Sequence, residues 1–172
     1  MKRSFASLGP QETLEIAISI EERNAEIYHR YAEMFTEFGD EESLEIAAVF
    51  WDMAIEERGH HALLHAKYAE QYGGECCSLT EEDLVELIEV PRLDQEDVLA
   101  GSGNGGTARM RALQVALHAE LSAQHFYTKL AGETPEGALR RIYSDLAQME
   151  DGHVAYLEAR LAQDAAENQI VH

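Results

Sequence analysis

The chain has 172 residues, enough for one well-packed domain and short for two; a hydrophobic content of 45% with three prolines excludes disordered, collagen-like and low-complexity classes. Acidic residues outnumber basic ones 33 to 13, and a formal charge of −20 repels phosphate backbones and anionic lipid, so nucleic acid is not an expected partner. No run approaches the ~20 apolar residues needed to span a bilayer, and MKRSFASLGP is not followed by an apolar stretch of signal-peptide length; the expectation is a soluble cytoplasmic protein with no membrane partner.

Pro10 opens the first periodic segment, where its missing N–H costs nothing. A helix is expected over about residues 10–38, ended by Gly39 and Asp40, and a second over about 41–72, ended by Gly73 and Gly74. So short a turn makes the two antiparallel neighbours. Residues 73–106 read as a long connection within one domain, with a candidate short helix at TEEDLVELIEV, then Pro91, then the flexible GSGNGG. Cys76 and Cys77 lie in this stretch, adjacent to each other, and match neither a disulfide staple nor C-x-x-C spacing; they read as loop thiols. A third helix is expected over about 107–131 and a fourth over about 135–166, with Thr134 as its N-cap and Pro135 in its first position. Four long helices with short, long and short connections describe a single all-α domain over residues 1–172, a four-helix bundle of two hairpins joined by a crossover.

The chain also repeats itself. TLEIAISIEERNAEIYHRYA aligns without a gap with ALQVALHAELSAQHFYTKLA, pairing Leu14 with Leu113, Ala17 with Ala116, Glu21 with Glu120, Tyr28 with Tyr127 and Ala32 with Ala131. The second and fourth segments align likewise, pairing Phe50 with Tyr143, Asp52 with Asp145, Glu57 with Glu150, Gly59 with Gly152, His60 with His153 and Leu64 with Leu157. At ~100° per residue, Glu21 falls on the apolar stripe of Leu14, Ala17, Ile18, Ala25 and Tyr28, whereas Glu22 groups with Glu15, Glu26 and Glu33 on a charged face. Glu120, Glu57, His60, Glu150 and His153 sit on the inward stripes of their own helices. Six ionisable side chains are therefore expected in one core.

Glu-x-x-His alone is a weak signal, and it occurs here three times. Glu26 with His29 finds no support at the corresponding place in the repeat and reads as a coincidence; His29, His61, His65, His118 and His125 read as surface or rim residues. The other two instances occupy equivalent positions on apolar stripes. Four buried carboxylates with two imidazoles leave excess negative charge, and an uncompensated buried ion costs several kcal/mol. Two divalent cations remove that charge, with neutral imidazoles completing the set. One imidazole per ion in an oxygen-rich set suits iron, with manganese or zinc as substitutes, better than the thiolate sites of structural zinc. Gly59 and Gly152, each beside a histidine of the set, are expected to mark close helix approach.

A glutamate from each of two helices with Glu-x-x-His from each of the other two resembles the rubrerythrin-type members of the ferritin-like superfamily, over roughly residues 10–165. The resemblance implies two iron ions held by Glu21, Glu57, His60, Glu120, Glu150 and His153, the four glutamates serving the catalytic centre, with Tyr28 and Tyr127 beside it. It implies reduction of hydrogen peroxide or dioxygen, and a homodimer. Two departures stand out. The additional glutamate that rubrerythrins carry three residues after the third-helix ligand is here Ala123, and no rubredoxin-like pair of C-x-x-C motifs is present, so a separate electron-donor protein is expected. Ferroxidase or iron handling, a redox-silent metal-stabilised bundle and a substrate hydroxylase share the same ligand pattern.

Overall fold

The computed structural model describes residues 8–74, 79 and 105–170, with side chains described for 8–74, 79 and 108–166. The candidate short helix at TEEDLVELIEV and both cysteines lie outside the described residues. Four helices make up the fold: α1 (Pro10–Phe38), α2 (Glu41–Tyr72), α3 (Gly105–Glu133) and α4 (Ala138–Ile170). Among the described residues there is no strand, and no helix is long and apolar enough to cross a membrane.

The helix ends follow from local chemistry. Pro10 sits in the first turn of α1, and the Glu12 carboxylate reaches back to accept the Gly9 N–H at 2.9 Å. Gly39, at φ 70°, supplies the left-handed residue that ends α1. One residue later Asp40 caps α2, accepting the Ser43 N–H at 2.9 Å and the Ser43 hydroxyl at 2.6 Å. These hydrogen bonds hold the Asp40 carboxyl below its usual range.

The start of α4 differs from the sequence expectation. The Thr134 N–H bonds back to the Leu130 carbonyl at 2.8 Å, so Thr134 completes the last turn of α3 instead of capping α4. The first bond of α4 runs from Arg141 N–H to the Gly137 carbonyl at 3.3 Å, and Pro135 precedes the helix.

Two apolar clusters fill the bundle. One gathers Tyr28, Tyr31 and Phe35 of α1, Ile46 and Phe50 of α2, Leu113 of α3 and Leu157 of α4. The other gathers Leu14 and Ile18 of α1, Leu64 and Tyr68 of α2, Phe126 and Tyr127 of α3 and Tyr143 and Leu146 of α4. Fully burying one such large side chain stabilises by about 1.5–3 kcal/mol. The order of the clusters along each helix gives the topology: α1 and α4 run one way, α2 and α3 the other. The C-terminus of α2 and the N-terminus of α3 therefore lie at opposite ends of the bundle, as a crossover connection requires. At the end where α3 begins, Arg109 is buried against Asp164 at 3.4 Å and also reaches Glu42 at 2.7 Å, tying α2, α3 and α4 together.

Between the two clusters each helix changes character. Glu21, Glu57 with His60, Glu120, and Glu150 with His153 all fall in that interval, forming a polar layer with apolar packing on either side.

Candidate metal centre

The polar layer brings together all six side chains singled out in the sequence, in two overlapping groups. Glu21, Glu57, His60 and Glu150 form one; Glu57, Glu120, Glu150 and His153 form the other, each with donor atoms within 4.8 Å of one another. The four glutamates are 0% exposed. Glu22, the alternative to Glu21, is only partly buried, as the stripe reading requires.

The centre is built the same way twice. His60 Nδ1 lies 3.1 Å from Glu21 Oε2, and His153 Nδ1 lies 3.2 Å from Glu120 Oε2. The second oxygen of each of these glutamates is held by a phenol from the opposite hairpin: Tyr127 donates to Glu21 Oε1, and Tyr28 to Glu120 Oε1. Tyr28 stacks on Phe50 and Tyr127 on Tyr143, with ring centroids 5.9 Å and 6.2 Å apart, so the phenols are themselves fixed by equivalent packing.

Glu57 and Glu150 occupy the middle. Glu57 turns Oε2 toward His60 Nδ1, at 3.8 Å, and Oε1 toward His153 Nδ1, at 3.4 Å. Glu150 turns Oε1 toward His60 Nδ1, at 3.7 Å, and Oε2 toward His153 Nδ1, at 3.3 Å. Each thus offers one oxygen to each half of the centre, the disposition of a bridging carboxylate. Both oxygens of Glu57 and Oε1 of Glu150 are buried with no hydrogen-bond partner. A polar network that satisfied itself would not strand three carboxylate oxygens in its middle. Cations shared between the two groups fit these oxygens, and four carboxylates with two imidazoles are a donor set for iron or manganese.

Proton affinities carry the same imprint. Burial pushes the Glu57 carboxyl well above the ordinary carboxylate range, and the charges of Glu21, Glu120 and Glu150 push it further. Glu150 is raised too, by burial first and Glu120 second. Burial acts to raise Glu120 as well, but hydrogen bonds with Glu150, His153 and Tyr28 outweigh it and hold that carboxyl below its usual value. Burial works to lower the His153 imidazole, yet its hydrogen bonds to Glu120 and Glu150 prevail and push it up to about 11. The Tyr28 and Tyr127 phenols are raised by burial and then by Glu120 and Glu21 respectively, so both stay protonated as donors. Without metal the centre lowers its excess charge by holding protons, and metal binding releases protons from such ligands.

The other histidines of the described residues stand apart from this cluster. His29 pairs with Glu33 at 3.4 Å and meets the Trp51 ring edge-on at 4.6 Å, His61 packs against His65, and His118 and His125 are exposed. The close-approach reading of Gly59 and Gly152 is corrected: both are exposed, and a Cβ added at either would meet nothing within 4 Å among the described residues. Nothing in the structure explains the two glycines.

Two polar residues went unnoticed in the sequence. Glu56 accepts the outer nitrogen of His153, Nε2, at 2.7 Å, and Asn24, one turn beyond Glu21, is buried with neither amide atom hydrogen-bonded. For Glu56 the available signal was that its counterpart in the repeat is Met149; for Asn24, that a polar residue at the position of Ala123 interrupts an apolar stripe.

A bundle with a lone inward glutamate on each of two helices and Glu-x-x-His on each of the other two has the architecture of the ferritin-like carboxylate proteins. Residues 12–93, a span containing Glu21, Glu57 and His60, match the model of the rubrerythrin family. No curated protein and no solved structure matches the chain. For Glu120, Glu150 and His153 the support is the internal repeat and the geometry of the centre.

Proposed function

We propose that this protein is a non-haem di-iron oxidoreductase of rubrerythrin type, reducing hydrogen peroxide or dioxygen with electrons from a separate donor protein. The observation that carries the reading is the pair of shared, buried carboxylates, Glu57 and Glu150, whose stranded oxygens face both halves of the centre. Glu21, Glu57, His60 and Glu150 would hold one ion, and Glu57, Glu120, Glu150 and His153 the other.

A reduced iron pair, when bound, supplies the two electrons that split an O–O bond. The chain's own residues supply the setting. Glu57 and Glu150 hold four oxygens between the two imidazoles, and a bridging carboxylate tolerates changes of charge and spacing on either side. Tyr28 and Tyr127 each fix one oxygen of a flanking glutamate, which leaves Oε2 of Glu120 and of Glu21 turned inward. The apolar clusters above and below exclude bulk water, which strengthens every electrostatic interaction in the layer.

The test is anaerobic loading with Fe²⁺ and metal analysis, followed by mixing with peroxide or with oxygen, with Glu57→Ala as control. About two irons per chain, oxidised much faster by peroxide and lost in the variant, is the expected result. Faster oxidation by oxygen would assign the centre to ferroxidase or oxidase chemistry. Metal uptake unchanged in Glu57→Ala would mean that the six residues are a structural polar core.

A further inference from the structure

The two halves of the centre match in their inward-facing groups but not in what stands behind the imidazoles. Glu56 of α2 reaches across to α4, where its Oε2 lies 2.7 Å from His153 Nε2, the ring nitrogen opposite the one that faces Glu120 and Glu150. Among the described residues no carboxylate pairs with Nε2 of His60. The repeat states why: the counterpart of Glu56 is Met149, which is 48% exposed and can accept no imidazole proton of comparable strength. The surroundings diverge in the same sense. A cleft of about 230 Å³ over the Glu56 and His153 pair is lined by Val49, Asp52, Met53, Glu56, His153 and Tyr156. The counterparts of Glu56 and Tyr156 are Met149 and Leu63, so these two polar groups on the His153 side are replaced by apolar ones on the His60 side, while Asp52 keeps its match in Asp145.

We propose that Glu56 is a positioning residue that makes the two metal positions inequivalent. By accepting the proton on Nε2, Glu56 fixes His153 with Nδ1 as the lone-pair nitrogen turned toward the centre, and its charge raises the basicity of that nitrogen. The ion held by His153 is therefore the more tightly bound, and the one held by His60 the more readily lost. As a contribution to stability alone the contact is minor, because the Glu56 side chain is 59% exposed and pairs of that kind are worth little. Its consequence lies in how it holds a donor whose other face is buried among carboxylates.

This rests on the metal-centre reading above, and the experiment separates the two. The full chain is titrated anaerobically with Co²⁺ as probe, alongside Glu56→Gln and Met149→Glu, each first shown to melt like the parent. The parent is expected to take two Co²⁺ with distinct affinities. Glu56→Gln should weaken only the tighter, by about 10–100-fold. Met149→Glu should tighten only the weaker. In proton spectra of the Co²⁺ form, one of the two imidazole N–H signals should be protected from solvent exchange, and that protection should fall in Glu56→Gln, whose uncharged amide oxygen is the weaker acceptor. Two Co²⁺ in the parent, with Glu56→Gln leaving affinities and signals unchanged or weakening both positions equally, would overturn the role of Glu56 alone. Failure of the parent to take up Co²⁺ would overturn the metal centre and this inference with it.

Discussion

Replacing Glu57 by methionine should stabilise the metal-free protein, even though Glu57 sits in the middle of the bundle. Both of its carboxylate oxygens are buried without a hydrogen-bond partner, with only the longer contacts to the two imidazoles. An unsatisfied buried acceptor costs about 1–3 kcal/mol, and proton uptake by the carboxyl relieves its charge without supplying the missing donors. Methionine has a similar length and no oxygen, and a swap that conserves volume costs under about 1.5 kcal/mol. The balance is a gain of about 1–2 kcal/mol, or roughly 2–8 °C in the unfolding midpoint for a chain of this size. With metal present the ranking should reverse. A ligand at 100 times its Kd stabilises by about 2.7 kcal/mol per site, and Glu57 belongs to both groups, so the variant forfeits that gain at both. Thermal unfolding followed by circular dichroism, in EDTA and then with excess Mn²⁺ under nitrogen, reads both effects. A variant that melts below the parent in EDTA would refute the reasoning, because it would mean that the core satisfies the Glu57 oxygens on its own.

Asp164→Ala should destabilise by about 1–3 kcal/mol, since it takes from the buried Arg109 its buried carboxylate and leaves only the exposed Glu42; chemical denaturation measures it, and Glu45→Ala, which removes only an exposed partner of Arg160, should cost under about 1 kcal/mol. Gly59→Ala and Gly152→Ala should each stabilise by up to about 1 kcal/mol, because an added methyl meets no neighbour among the described residues and alanine is the better helix former; a loss of stability in either would refute that reasoning. Asp40→Ala should lower the melting temperature at neutral pH. The Asp40 carboxyl is depressed below its ordinary value of 3.8 by its bonds to Ser43, so its contribution is present above that pH and disappears as pH falls through the lower, folded value. Melting curves of parent and variant should accordingly converge in strong acid, and a constant gap down to that range would refute the cap.

The positions of the helices and of the inward carboxylates were legible in the sequence for the same reason: a buried charged residue on an apolar stripe breaks a pattern, and here it breaks the pattern twice at matched places. Glu21 could be told from Glu22 because a single step around the helix moves a side chain by ~100°. Thr134 and Pro135 were misplaced as the start of α4 because a cap and a last helical turn draw on the same residue types, and what decided between them was a backbone bond to Leu130. Glu56 was overlooked for a different reason, its one sequence signal being the mismatch with Met149. It lies on the outer side of α2, where acidic residues are common, and it gains meaning only from a contact with His153 across the interface between α2 and α4. Arg109 and Asp164 are alike in this respect, since their pairing joins two helices and leaves no periodic trace in either.

Neither hairpin holds a full set of donors. Each group of ligands borrows a carboxylate from the other half, and each phenol anchors the other half's glutamate. Two identical copies of one hairpin, docked about a twofold axis, would therefore assemble the same six donors with no covalent link between them. In such a pair every substitution appears twice, once on each side of the axis. Joining the copies into one chain lifts that restriction, so that a glutamate can stand behind one imidazole while a methionine takes the corresponding place behind the other.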